Sequence, residues 1–158
     1  MMDALFAWSD NLSVGIQEID EQHKVLVGLL NELHSAIAGH RGSTECRGVL
    51  DRLAEYTRVH FAVEESLMRI LGYPDHENHK HEHELLTAQV VDLQQKLDAG
   101  KAAISFELLH FLKVWLTRHI HESDKRYGSH FLARGIEARW PAKEAAPEKR
   151  RSWMFWSR

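Results

Sequence analysis

The sequence predicts an all-α protein: an up-down-up-down four-helix bundle with an N-terminal arm and a C-terminal extension. Four segments repeat apolar residues at alternating spacings of three and four, as the buried stripe of a helix requires. Short breaks separate these segments, and none of them alternates like a β-strand. Helices of similar length joined by short connections pack as antiparallel neighbours, and this predicts the bundle.

An irregular arm, residues 1–18, precedes the first helix. Its apolar side chains are expected to pack on the bundle, and they are Phe6, Trp8, Leu12, Val14 and Ile16. The first helical pattern begins near Asp20 and stops at the glycines of residues 39–42. The seam of this helix consists of His23, Leu26, Leu30, Leu33 and Ile37.

Ser43 or Thr44 is expected to cap the second helix, because a hydroxyl there accepts a hydrogen bond from a free backbone N–H. The seam of this helix consists of Leu50, Leu53, Thr57, His60, Glu64, Leu67 and Leu71. Gly72 then ends the helix, Pro74 cannot continue it, and Asp75 is able to cap the third helix.

The third and fourth helices follow the same rule. The third has a seam that begins with two histidines, namely His79, His83, Leu86, Val90, Leu93 and Leu97. Gly100 breaks the pattern, and the fourth helix begins at about Ser105. Its seam consists of Leu108, Leu112, Trp115 and His119.

Metal-binding side chains replace apolar residues in all four seams. Two i, i+4 pairs flank the turn at residues 72–75, and residues at that spacing share one helix face. Because the helix directions alternate, all these positions fall at one end of the bundle. They are His23, His60, Glu64, His79, His83 and His119. Burying polar groups at one level of the bundle costs free energy unless they all have partners, and a metal centre would provide partners for all of them.

A further carboxylate follows the last of these histidines in the segment HIHESD. Asp124 lies five residues after His119, about 140° around a regular α-helix. Either the fourth helix ends there, or it contains a π-bulge, which often marks a functional site. On spacing alone, His121 and Glu122 are alternative candidates for the ligands in this segment.

These residues and their surroundings resemble the hemerythrin family in its bacterial single-domain form. The spaced pattern is His23, His60-x3-Glu64, His79-x3-His83 and His119-x4-Asp124. The neighbouring motifs agree, and they are Val14-Gly15-Ile16, Ile19-Asp20-Glu21-Gln22-His23, His60-Phe61, Glu64-Glu65, Gly72-Tyr73-Pro74 and Trp115-Leu116. The resemblance covers roughly residues 5–130, and seven spaced positions on four helices make it highly specific.

The resemblance implies reversible O2 binding at a non-haem di-iron centre. One iron would take His79, His83 and His119, and the other would take His23 and His60. Glu64 and Asp124 would bridge the two irons together with an oxo or hydroxo group. The two-histidine iron then keeps one open position, where a small diatomic would bind. Such ligands suit iron, although ligand type alone does not exclude zinc or manganese.

The resemblance also assigns the walls of the O2 pocket. The matching positions are Leu26, Phe61, Trp115 and Ile120, all apolar or aromatic, as a dry site requires. The remaining seven of the twelve histidines are expected to face mostly solvent. They are His34, His40, His76, His81, His110, His121 and His130.

Composition places the chain among ordinary globular proteins. It has 158 residues, 44% hydrophobic and 27% charged, which fits one domain at residues 1–133. No stretch approaches the ~18 apolar residues of a membrane-spanning helix. The N-terminal residues lack the features of a secretory signal, and a single cysteine, Cys46, excludes an internal disulfide. We therefore expect a cytoplasmic protein.

Residues 134–158 form a separate basic and aromatic tail. They carry seven Lys or Arg and three Glu, a net +4, which leaves −7 for residues 1–133 of the total of −3. A negatively charged body is a poor binder of nucleic acid. The tail is expected to be flexible, with contact between residues 140–158 and an anionic membrane surface or a partner protein as the alternative.

The sequence thus predicts O2 storage, delivery or buffering without enzymatic activity. The alternatives are an O2 or redox sensor acting through the tail, a di-iron enzyme for peroxide or nitric oxide, and a purely structural metal bundle. Ferritin-like oxidases use Glu-x-x-His motifs from two helices. Only Glu107-x-x-His110 matches that motif, and it points away from the seam.

Overall fold

The computed structural model describes residues 7–101 and 103–133, and all regular structure in these ranges is helical. The four long helices are α1 (Gln17–Ala38), α2 (Ser43–Leu71), α3 (His76–Asp98) and α4 (Phe106–Arg118). A π-helical segment, His119–Asp124, continues α4 and leads directly into α5 (Lys125–Ala133). Helix α1 packs against α2 and α4, and α2 packs against α3. The predicted four-helix bundle is confirmed.

The hydrophobic core is built mainly by α1 and α2. Their seams are buried almost throughout, with Leu33 of α1 and Leu50 of α2 nearly inaccessible to solvent. Helix α3 differs, because only His79, His83 and Leu86 of its seam are buried. Its remaining seam residues are only half-buried, so α3 is held most firmly at the end that carries the histidines.

The N-terminal arm packs on the bundle as expected. Leu12, Val14 and Ile16 are buried, and a short 3-10 helix, Asp10–Leu12, precedes them. The Asp20 carboxylate accepts hydrogen bonds from Ser13 Oγ (2.5 Å) and from the Val14 backbone N–H (2.9 Å). The predicted packing of Phe6 lies outside the described residues.

Two predicted helix starts were wrong in detail. Helix α1 begins at Gln17 instead of near Asp20, because the Ile16 carbonyl already accepts the Asp20 backbone N–H at 2.9 Å. Neither Ser43 nor Thr44 caps α2. The residue before that helix is Gly42, whose φ of 97° is readily available to glycine, so the helix begins one residue early.

The turn between α2 and α3 follows the sequence prediction at Gly72, but the predicted cap by Asp75 is not formed. Gly72 adopts a left-handed conformation with φ of 73°, and Tyr73 N–H donates to the Met68 carbonyl at 2.9 Å, which closes the end of α2. Asp75 precedes α3, although its carboxylate accepts a hydrogen bond from Asn78 Nδ2 (2.7 Å) and none from the backbone.

Helix α4 begins as predicted, since Ser105 Oγ accepts a hydrogen bond from the Leu108 backbone N–H at 3.2 Å. None of the helices in the described ranges is both long and apolar enough to span a membrane. The predicted tail, residues 134–158, and its proposed membrane or protein contact lie outside the described residues.

Candidate metal centre

All seven residues predicted as metal ligands lie together at one end of the bundle, and all are buried. They are His23 from α1, His60 and Glu64 from α2, His79 and His83 from α3, and His119 and Asp124 from the π-helical segment. The seams of four antiparallel helices bring them to one level. Five imidazoles and two carboxylates therefore share a small volume that solvent does not reach.

The donor atoms form two overlapping groups. The first, which we call the three-histidine group, contains Glu64, His79, His83, His119 and Asp124. The second, the two-histidine group, contains His23, His60, Glu64 and Asp124. Within each group one donor atom from every residue lies within 4.8 Å of the others. The two groups have both carboxylates in common, so they describe two adjacent ion sites.

Each shared carboxylate directs one oxygen at each group. Glu64 Oε2 lies 3.5 Å from His23 Nε2 and 3.3 Å from His60 Nε2. Glu64 Oε1 lies 3.4 Å from His79 Nε2 and 3.2 Å from His83 Nε2. This is the disposition of a carboxylate that bridges two cations.

Asp124 divides its oxygens in the same way. Its Oδ2 lies 3.1 Å from His23 Nε2, in the two-histidine group. Its Oδ1 lies 3.0 Å from His79 Nε2 and 3.2 Å from His119 Nε2, in the three-histidine group. Two carboxylates from different helices therefore span the same pair of sites.

The donor atoms have no other partners that would explain their burial. Both oxygens of Glu64, both oxygens of Asp124, and Nε2 of His23 and His79 are buried and, within the described residues, have no hydrogen-bond partner outside the cluster. His83 Nε2 and His119 Nε2 face each other at 3.0 Å. Orphaned buried polar atoms are costly, and metal ions between them would satisfy all of them at once. The residues present therefore fit a two-metal centre.

The electrostatics of the cluster favour charged groups in spite of burial. Burial alone would raise the pKa of the Glu64 carboxyl, but the neighbouring imidazoles of His60, His23 and His79 hold it well below its ordinary value. Burial and the negative charge of Glu64 would likewise raise the pKa of the Asp124 carboxyl. The imidazoles of His119 and His23 outweigh both and hold this pKa well below its ordinary value. Both carboxylates are thus ionised, as cation ligands must be.

The two carboxylates raise the pKa of three of the histidines in turn. Burial opposes protonation of His23, yet Asp124 and Glu64 raise its pKa to about 9. The same balance raises the pKa of His79 to about 10 and that of His119 to about 9. For His60 burial prevails and lowers the pKa. The two carboxylates thus favour a positive charge at three of the histidines, as they would favour a cation between them.

The π-helical segment brings Asp124 into the same cluster as His119. A π-helix repeats at i, i+5, so His119 and Asp124 both point into the bundle across its single turn. The rival residues, His121 and Glu122, are exposed. Of the two explanations considered for the five-residue spacing, the structure adopts the π-bulge.

Three side chains contact the outer nitrogens of the buried histidines, and the sequence analysis did not identify these contacts. His60 Nδ1 lies 2.6 Å from Gln22 Oε1, and His83 Nδ1 lies 2.7 Å from Glu65 Oε2. His119 Nδ1 lies 3.2 Å from Glu82 Oε1, which accepts a hydrogen bond from Ser123 Oγ at 2.5 Å. Gln22, Glu65 and Glu82 are each adjacent in sequence to a predicted ligand, and this is the one signal in the sequence that pointed to them.

Two of the four predicted pocket walls, Phe61 and Trp115, contact ligand histidines of the cluster. The ring of Phe61 stacks on that of His83, with centroids 3.6 Å apart and planes 1° apart. The ring of Trp115 stacks on that of His119 at 4.5 Å and 14°. Ile120 is fully buried. Leu26 and Trp115 also line a cavity of about 70 Å³ that extends into the apolar half of the bundle.

The other histidines are mostly at the surface. His40, His81, His110 and His121 are exposed, and His34, His76 and His130 are half-buried. Glu107 is exposed as well as His110, so the single Glu-x-x-His motif is remote from the buried cluster.

Comparisons with known proteins agree with this geometry. A family model described as the hemerythrin HHE cation binding domain matches residues 14–130. A bacteriohemerythrin from Stenotrophomonas maltophilia is 38% identical over 130 residues, 82% of this chain and 84% of that protein. A bacteriohemerythrin from Methylococcus capsulatus is 37% identical over 79% of this chain and 95% of that protein.

The fold agrees as well. A crystal structure of wild-type hemerythrin superposes with a TM-score of 0.77 at 35% sequence identity, covering 80% of this chain and 97% of that one. The similarity in sequence and the similarity in fold both include the four helices that carry the buried histidines and carboxylates. The chain belongs to the hemerythrin family.

Proposed function

We propose that this chain holds two iron ions in the buried cluster and binds O2 reversibly, as a cytoplasmic protein for O2 storage, delivery or buffering. The observation that carries the proposal is the pair of carboxylates, Glu64 and Asp124, each with one oxygen directed at each histidine group. Membership of the hemerythrin family supports iron as the metal. Bound iron would supply the redox-active site at which a diatomic ligand is held.

The unequal number of histidines supports binding at one of the two ions. Three imidazoles and two carboxylates face one site, and two imidazoles and the same two carboxylates face the other. With an oxo or hydroxo bridge, the first site has six donors and the second has five. The two-histidine group, with His23 and His60, therefore leaves a position for an external ligand.

The surrounding side chains support reversible binding more than turnover. Leu26, Phe61, Trp115 and Ile120 carry no ionisable group, so they exclude water without offering a proton to a bound ligand. A binding protein needs such walls, whereas an enzyme acting on peroxide or nitric oxide needs a proton source at the same place. We therefore propose a binder and no enzymatic activity.

Optical spectra of the purified protein test the proposal. We expect two irons per chain, and a visible absorption band that forms when the deoxygenated protein meets air and disappears under argon. Two irons with irreversible oxidation would contradict reversible binding. Zinc in place of iron would contradict the choice of metal. Turnover of peroxide or nitric oxide with an added reductant would contradict the absence of enzymatic activity.

A pair of variants connects the spectrum to the site. Asp124→Ala removes one oxygen from each group, so we expect loss of iron and of the band. Glu122→Ala removes an exposed carboxylate from the same π-helical segment and should leave both unchanged. Equal effects of the two substitutions would contradict the assignment of Asp124.

A further inference from the structure

The outer nitrogens of two histidines in the three-histidine group face carboxylates. His83 Nδ1 lies 2.7 Å from Glu65 Oε2, and His119 Nδ1 lies 3.2 Å from Glu82 Oε1. An ionised carboxylate can only accept a hydrogen bond, so each imidazole carries its proton on Nδ1. Once Nε2 gives up its own proton, its lone pair faces the inside of the cluster, and this is the tautomer that a metal ligand needs.

The two-histidine group has no such carboxylates in the part of the chain that the structure describes. His60 Nδ1 lies 2.6 Å from the amide oxygen of Gln22, a neutral group. His23 Nδ1 is buried without a hydrogen-bond partner. The two histidine groups share both inner carboxylates, and among the contacts to the outer nitrogens only those of the three-histidine group carry a negative charge.

We infer that Glu65 and Glu82 are positioning residues that make the three-histidine group more electron-rich and strengthen its hold on a metal ion, beyond what its third imidazole supplies. The inference rests on the proposed two-metal function. A carboxylate that accepts the outer N–H orients the imidazole and raises its basicity as a ligand. Its negative charge also favours the higher oxidation state of a nearby metal ion.

The two carboxylates differ in how strongly they should act. Glu65 has a side chain only 19% exposed, and it makes the shorter contact to its histidine. Glu82 is 40% exposed, although Ser123 Oγ donates a 2.5 Å hydrogen bond that holds it in place. Solvent and salt screen exposed charges more than buried ones. Glu65 is therefore expected to have the larger effect.

Charge removal tests the inference through the midpoint potential of the iron-loaded protein. Glu65→Gln and Glu82→Gln keep an oxygen acceptor of similar shape and remove the charge. We expect both to shift the potential in the positive direction, with the larger shift for Glu65→Gln. Glu84→Gln is the matched control, because Glu84 is on the same helix as Glu82, is 62% exposed, and pairs loosely with His81.

Two results would overturn the inference. One is an unchanged potential in Glu65→Gln and Glu82→Gln, which would mean that these charges do not reach the metal. The other is an equal shift in Glu84→Gln, which would mean that any negative charge near the bundle end acts in the same way.

Removal of the acceptor itself tests the effect on affinity. Glu65→Leu and Glu82→Leu should each weaken the binding of one of two Zn²⁺ ions by about 10–100-fold in competition with a chelator. Circular dichroism of the metal-free variants checks that the helices are retained. If the unchanged protein does not take up two ions, the proposed function fails. If it does and the variants bind equally well, only the present inference fails.

Discussion

The two ends of the bundle are built on opposite principles. At the metal end the seams carry seven buried polar residues whose donor atoms have few partners of their own. At the far end the same seams carry leucines, and Leu30, Leu33 and Leu50 are almost fully buried. Burial of apolar surface stabilises a fold by itself, whereas burial of imidazoles and carboxylates costs free energy unless something satisfies them.

The comparison assigns different tasks to the two ends. The far end supplies the stability that holds four helices in register. The metal end uses that register to bring together ligands that are distant in sequence, from His23 to Asp124. It follows that substitutions at the far end should change stability with little effect on metal content, and substitutions of the ligands at the metal end should change metal content while the helices are retained.

The largest effect is expected from removing a shared ligand. Glu64→Ala deletes both oxygens that face the two groups, so we expect the loss of both irons and of O2 binding, while the helical circular dichroism signal is retained. Glu55→Ala, an exposed position on the same helix, is the control. Two irons per chain in Glu64→Ala would contradict the bridging role.

A cavity at the far end should act on stability. Leu33→Ala removes a fully buried side chain from α1 and should lower the free energy of unfolding by about 2–5 kcal/mol, measured by urea denaturation. Iron content at low temperature should remain two per chain. Leu85→Ala, at a position 55% exposed on α3, should change stability by roughly 0.5 kcal/mol or less. Loss of iron in Leu33→Ala without unfolding would contradict the division between the two ends.

The metal-free protein should become less stable as the pH rises. The folded-state pKa values of His23 and His119 are raised to about 9, and that of His79 to about 10, from an ordinary 6.5. Their contribution is therefore fully present below pH 6.5 and is lost as the pH rises through 9 to 10. Denaturation curves at pH 6.5, 8 and 9 measure it.

Zinc provides the control for this pH effect. Metal ions need unprotonated imidazoles, so the zinc-loaded protein should not lose stability between pH 6.5 and 8. A metal-free protein whose stability is constant or rises over that range would show that the histidine protons do not stabilise the cluster.

The smallest effect concerns a close backbone contact beside the metal end. A Cβ at Gly128 of α5 would lie 2.1 Å from the Val14 carbonyl oxygen, so the N-terminal arm would have to move. We expect Gly128→Ala to lower the free energy of unfolding by about 1–3 kcal/mol. Gly48→Ala, inside α2 with open space around it, should raise it by roughly 0.5–1 kcal/mol. Equal changes in the two variants would contradict the close contact.

Much of the fold could be predicted because it depends on local patterns. Alternating spacings of three and four identify the four helices, and Gly72 and Ser105 mark a helix end and a helix start that the structure has. The first residue of α1 and the cap of α2 were predicted less well. Those details depend on how Ile16 and Gly42 are placed by the arm and the loop, and no local pattern records that.

In the candidate site, too, the residues that follow a local pattern were predicted and those that depend on packing were not. The seven predicted ligands come together because each lies in a helix seam, and seams converge when helices pack. The contacts of Gln22, Glu65 and Glu82 were missed, because each joins residues on two helices at the edge of a seam. In the sequence, a polar residue at the edge of a seam has the same spacing as a polar residue that faces solvent, so periodicity does not distinguish the two.

The sequence by itself determined the number of helices, their buried faces and the end of the bundle at which the polar residues meet, since periodicity and chain direction are local properties. Only the tertiary structure decided that His119 and Asp124 share a π-helical turn, and that each carboxylate directs one oxygen at each histidine group. It also decided which outer nitrogens face charged groups and which face neutral ones. These properties depend on distances between side chains of different helices, which are set only when the whole bundle is packed.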